Sequence, residues 1–153
     1  MAEAFMRQLI GERPGLRHVE VFSAGTIASD GNAPLGQTVR VMRMDHGIDL
    51  TGHRARRLSA NLHADLVLAM DRQVIDEARE IGTGGSLHLI GDFAGSSGEE
   101  VADPYGGSLD DHRACASRVK RLVEAVADRL EHPAPAAGAQ ACHPRPRRLD
   151  GRS

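Results

Sequence analysis

Tryptophan is absent from the 153-residue chain, and Phe5, Phe22, Phe93 and Tyr105 bring the aromatic share to only 3%. The core must therefore be aliphatic, and the stacking platforms that hold single-stranded nucleic acid are nearly missing. Charge of one sign is missing too: 19 Lys and Arg against 21 Asp and Glu leave a net −2. Such a chain has no overall field to gather DNA or an anionic membrane. The expected partner is a small or local substrate, with no nucleic acid and no membrane involved. No apolar run approaches the roughly 18–20 residues of a membrane span, and the first residues carry acidic Glu3 with no apolar signal core. The expected location is cytoplasmic. Cysteine is scarce, with only Cys115 and Cys142 and no CxxC pattern, which fits neither a zinc site nor a disulfide scaffold.

What is present is a globular balance of 41% hydrophobic and 26% charged residues in a length that suits one domain. Ala2, Phe5, Met6, Leu9 and Ile10 recur at helical spacing, and Gly11 is the expected left-handed stop. Val19–Phe22 alternates with β-branched residues and predicts a strand that leaves its sheet at Ser23-Ala24-Gly25. Pro34 suits the first turn of a helix carrying Leu35, Val39, Met42 and His46 as far as Gly47. The run Ala64–Met70 has the apolar continuity of a strand covered on both faces. Asp71 then caps a helix to Ile81, Leu87–Ile90 forms a further strand, and Leu109–Glu131 is the last helix, striped by Cys115, Val119, Leu122, Val126 and Leu130.

This alternation describes an α/β fold, a doubly wound parallel sheet with helices on both faces. One feature departs from the usual order, because the opening helix has no strand before it. The domain is expected over residues 1–131. Residues 132–153 read as a disordered tail, dominated by Pro, Ala and Arg from Pro133 onward.

The blocks MAEAFMRQLI, VEVFSAGT, HGIDLTGHRARRL, DLVLAMD, LIGDF and VADPYGG stand in an order and spacing that resembles the low-molecular-weight protein tyrosine phosphatases. That family shares its fold with thioredoxin-coupled arsenate reductases. The resemblance covers nearly the whole domain and implies a four-stranded parallel sheet in the order 2-1-3-4, in which the strands read above are the second, third and fourth. It also implies a metal-independent reaction through a cysteinyl-phosphate intermediate, with no cofactor and with a phosphotyrosine protein or small phosphomonoester as substrate.

By that resemblance Asp103 is the general acid and base. A tyrosine leaving group has a pKa of about 10 and departs poorly as an anion, so a positioned proton is worth about 10²–10⁴-fold. Pro104 fixes the backbone beside Asp103, and Tyr105 flanks the substrate ring. His53 corresponds to a histidine that buttresses the phosphate loop. Ser23 and Asp71, each at the carboxyl end of a predicted strand where ligands bind in such sheets, are supporting residues. The segment from Ile27 to Asn32, which flanks substrate in the family, carries no aromatic residue. Arg54, Arg56 and Arg57 form a basic run that offers attraction for an anionic substrate, although such a pattern more often marks a solvated face.

In the family the first strand ends in a Cys-x5-Arg-Ser phosphate loop, and no Cys-x5-Arg-Ser occurs in this chain. The strand, the nucleophile and the phosphate-clamping arginine are therefore expected to be lacking, and Met1 reads as an internal methionine of a longer protein. Neither Cys115, on the last helix, nor Cys142, in the tail, is a candidate nucleophile. Without the central strand its neighbours would stand about 10 Å apart, beyond ladder hydrogen bonding. The chain by itself is accordingly expected to be inactive. The alternatives are a non-catalytic remnant or binding module, an arginine phosphatase of the same family, and an arsenate reductase, for which residues 72–90 offer no redox cysteine.

Overall fold

The computed structural model of the chain describes residues 1–133. Among these, two short parallel strands make the sheet: β1 (Leu66–Ala69) and β2 (Ser86–Leu89), with Leu66 opposite Ser86 and Ala69 opposite Leu89. The crossover between them is α3 (Arg72–Ile81), started by Asp71, whose carboxylate accepts from the Val74 N–H at 2.8 Å, and closed by Gly82 at φ 78°. Gly85, at φ 88°, admits the carbonyl oxygen of Ala64 into the space a Cβ would fill, which lets β2 enter in register beside β1.

Side chains alternate across this pair. Ala69 and Leu89 join Ile75 in a small cluster beneath α3, whereas Leu68 and Met70 face the main core. That core is built by Phe5 and Met6 of α1 (Ala2–Glu12), Val41 and Met42 of α2 (Gly36–His46), Ile90 of α4 (Ile90–Ala94), and Val119, Leu122, Val123 and Val126 of α5 (Leu109–Glu131). The fold is thus α/β with a parallel sheet and helices on both faces, as its pattern predicts. No helix among the described residues is long and apolar enough to cross a membrane.

Several elements differ from expectation, each for a physical reason. Residues 19–22 form no strand. The N–H groups of residues 20–24 donate to no backbone carbonyl among the described residues, the Val21 carbonyl accepts from Arg7 Nη2 at 3.1 Å, and the segment meets only an isolated bridge at Gly25 with Arg57. A strand requires a neighbour about 4.8 Å away, and propensity cannot supply one. Gly11 does not end α1. The helix continues to Glu12 and stops at extended Arg13, ahead of a 3₁₀ turn at Pro14–Leu16 that buries Leu16. Pro34 lies before α2, whose cap is Leu35. Ile90 starts α4 directly after β2 rather than ending the strand. On α5, Cys115 and Leu130 are half-buried, and Ala116 and Ala127 complete the buried stripe. The disordered tail and Cys142 lie outside the described residues, apart from His132 and Pro133.

Candidate functional site

The carboxyl end of β1 passes its last contact to the segment that carries Asp103: the Val101 N–H donates to the Met70 carbonyl at 2.8 Å. That segment is held from α5 and α3. Arg121 pairs with Glu99, Arg118 Nη1 donates to the Glu100 carbonyl at 3.3 Å, and Arg72 pairs with the Glu100 carboxylate at 3.1 Å. Asp103 emerges from this clamp exposed, its Oδ1 accepting from the Tyr105 N–H at 3.0 Å. Pro104 forms the turn, closed by Gly107 N–H to its carbonyl at 2.9 Å, and Tyr105 projects into solvent with 76% of its surface exposed. Ser108 then caps α5 in a reciprocal box with Asp111.

Behind Asp103 stands Cys115, whose Sγ lies 3.8 Å from the Ala102 carbonyl. Burial pushes its thiol up, the N-terminal amine opposes this, and the Asp103 carboxylate adds to it. A thiol so placed stays protonated, the opposite of what a nucleophile requires. Cys115 and Arg121 do stand at the Cys-x5-Arg spacing, as do Cys142 and Arg148 outside the described residues, but a leucine follows each arginine. The first pair lies inside α5, where backbone N–H groups are spent on the helix rather than gathered around an anion, and Arg121 is paired with Glu99. The Met1 amine itself is pushed down by burial, against the charges of Cys115 and Glu3. Met1 and Cys115 pack against the same core cluster, and Cys115 touches the residue before Asp103.

Ser23 and His53 meet at a different place. A cleft of about 500 Å³ opens between α1 and residues 48–56, and its walls include Glu3, Arg7, Ser23 and His53. Glu3 is the hub. Ser23 Oγ donates to its Oε2 at 2.5 Å and Arg7 Nε to its Oε1 at 2.9 Å. Burial works to raise the Glu3 carboxyl, but the hydrogen bonds from Ser23 and Arg7, with the charges of Arg7 and His53, outweigh it and hold the carboxyl below its ordinary range.

The residues singled out from the sequence thus fall into two groups, Asp103–Pro104–Tyr105 and Ser23–His53, and no hydrogen bond connects them directly. The first turn of α1 joins them, with Glu3 on one side and Met1 beside Cys115 on the other. Asp71 serves as the cap of α3 and borders a separate depression of about 340 Å³ with Ala102 and Arg118. Glu3 and Arg7 escaped the sequence reading. Their spacing of four on a helix, acid before base, was the available signal.

The model of the low molecular weight phosphotyrosine protein phosphatase family matches residues 1–135. The chain belongs to that family. Among relatives of this phosphatase-family chain is a probable low molecular weight protein-tyrosine-phosphatase, EpsP, of Ralstonia nicotianae. It is 35% identical over 135 residues, which are 85% of this chain and 86% of EpsP. The tyrosine phosphatase AmsI of Erwinia amylovora superposes with a TM-score of 0.71 at 26% identity, covering 83% of this chain and 81% of AmsI. The arginine phosphatase YwlE, as a cysteine-to-serine mutant with a phosphorylated active-site serine, superposes with a TM-score of 0.76 at 29% identity, covering 86% of this chain and 87% of YwlE.

Proposed function

We propose that this low molecular weight phosphatase fold serves hydrolysis of protein phosphotyrosine, with Asp103 as general acid and then general base. The observation that supports the reading is the turn that presents the exposed Asp103 carboxylate directly after Ala102, whose carbonyl lies 3.8 Å from Cys115 Sγ. In the family the phosphate loop leads into the helix that corresponds to α1. A helix amino terminus favours phosphate through its free N–H groups and dipole. A cysteine thiolate of such a loop would attack phosphorus while the ester P–O bond breaks, and Asp103 would give its proton to the departing phenolic oxygen. Its carboxylate would then take a proton from water as the water oxygen displaces sulfur.

The 153-residue sequence contains no Cys-x5-Arg-Ser, so this chain by itself has no turnover in this reading. Hydrolysis of p-nitrophenyl phosphate by the pure chain, abolished by Asp103→Ala, would overturn that statement. Joining a Cys-x5-Arg-Ser-Pro loop with its strand ahead of Met1 tests the role of Asp103. Turnover is expected, and Asp103→Ala is expected to lower kcat by about 10²–10⁴-fold, most for esters with the poorest leaving groups. An unchanged kcat would remove Asp103 from the mechanism. The likeness to YwlE, an arginine phosphatase by name, makes phosphoarginine the second substrate to assay beside phosphotyrosine. In this reading Ser23 and His53 support the site from the Glu3 side, and the exposed Tyr105 flanks the substrate ring.

A further inference from the structure

The cleft between α1 and residues 48–56 carries charge that the fold does not neutralise. Its acidic residues are already engaged: Glu3 by Ser23 and Arg7, Asp49 by Arg43 at 3.2 Å and by the Thr51 N–H at 2.9 Å. Arg54 and Arg56, in contrast, meet no carboxylate among the described residues. Arg54 Nη1 donates to the Thr51 and His53 carbonyls at 2.8 and 2.7 Å, which orients the guanidinium and leaves its other nitrogens free. Arg56 lies over the exposed Phe22 ring, 5.4 Å from its centroid, a stacking that leaves its N–H edges free.

These two side chains sit on a backbone that is already fastened. Gly25 N–H donates to the Arg56 carbonyl at 2.9 Å, Ala55 exchanges hydrogen bonds with Gly31 and Asn32, and the Arg57 N–H donates to Asp30 Oδ1 at 2.7 Å. Arg54 and Arg56 both line the cleft whereas Ala55 and Arg57 do not, the alternation of an extended stretch. Side chains two apart in such a stretch stand about 6.5–7 Å from one another. Phe22 and Ser23 line the same cleft, on the stretch that runs beside Arg54–Arg57 through the Gly25–Arg57 bridge.

We propose that this cleft binds an extended acidic peptide segment of a protein partner. Two carboxylates two residues apart match Arg54 and Arg56, whose guanidinium N–H groups are free to take them. A nucleic acid would need a longer basic track and stacking residues, and the chain's balanced charge and 3% aromatic content supply neither. The proposal is independent of turnover and of Asp103.

The test is titration of a fluorescent extended peptide with glutamates at alternate positions against the full chain, beside the same peptide with glutamines and a single-stranded oligonucleotide of equal length. Saturable binding of the glutamate peptide alone is expected, weakening as salt is raised. Arg54→Ala with Arg56→Ala is expected to weaken it about tenfold or more, and Arg40→Ala, on the exposed side of α2, to leave it unchanged. If circular dichroism shows the alanine pair unfolded, Arg54→Gln with Arg56→Gln replaces it. The proposal falls if the glutamate peptide shows no saturable binding at millimolar concentration, if the glutamine peptide or the oligonucleotide binds as well, or if the Arg54 and Arg56 changes act no more strongly than Arg40→Ala.

Discussion

Ser23 Oγ donates a 2.5 Å hydrogen bond to Glu3 Oε2, which fastens a segment without ladder partners to the first turn of α1. Arg7 adds a second tie from the same helix to the Val21 carbonyl at 3.1 Å. Removing the hydroxyl by Ser23→Ala leaves Glu3 with Arg7 alone and is expected to cost about 0.5–1.5 kcal/mol in urea unfolding. A loss below the error of the measurement would mean that the contact is not kept in solution.

The same carboxylate makes stability depend on pH in a defined direction. Its folded pKa is lowered from 4.5, so the folded state binds the proton less readily than the unfolded chain. The stabilisation is present above the unfolded value and is lost as pH falls below about 4.5 through the lower folded value. Glu3→Gln is expected to be less stable than the parent at pH 7 and to converge on it in acid. A difference that stays constant from pH 7 to pH 3 would contradict the assignment.

How far this was legible depends on how local each determinant is. The helix from about Leu109 to Glu131 was readable from its long apolar stripe, and that from Arg72 to Ile81 from its ends, because Asp71 and Gly82 act within a single turn. The Asp103 turn was readable from a short motif for the same reason. Residues 19–22 were misread because a strand exists only beside another, and no periodicity records whether the neighbour is there. Glu3 was missed because its meaning comes from Ser23 and His53, which the fold brings to it from distant parts of the chain.

Asp71 offers a test of the sheet's own architecture. Its carboxylate satisfies the Val74 N–H at 2.8 Å, and Asp71→Ala is expected to cost about 0.5–2 kcal/mol of stability. Asp71→Asn, which keeps a cap acceptor, should recover most of it. If the two variants lose equally, the charge of Asp71 rather than its capping bond is what the fold uses.

Backbone exchange should divide the predicted strands sharply. The β1–β2 pair buries Ala69 and Leu89 beneath α3 and sets Leu68 against the main core, and its ladder amides are expected to exchange far more slowly than those of an unpaired segment. The amides of residues 20–24 have no backbone acceptor among the described residues and are expected to exchange close to unstructured rates. Comparable protection in both segments would show that residues 19–22 are paired in solution, in which case the two-stranded description of the sheet would be wrong.

The neighbourhood of Cys115 can be read without any turnover. Burial and the Asp103 carboxylate both raise its thiol, and alkylation requires the thiolate. Iodoacetamide is therefore expected to modify Cys115 slowly at neutral pH and faster as pH rises beyond the ordinary thiol range. Replacing Asp103 by Asn removes a negative charge that opposes ionisation, so it should lower the thiol pKa and speed alkylation at a fixed pH. Tyr105→Phe, which changes no charge near the sulfur, should not. Peptide mapping is needed to separate Cys115 from Cys142. If Asp103→Asn leaves the pH–rate profile of Cys115 unmoved, the carboxylate does not stand near the thiol, and the placement of Asp103 at the amino end of α1 loses its support.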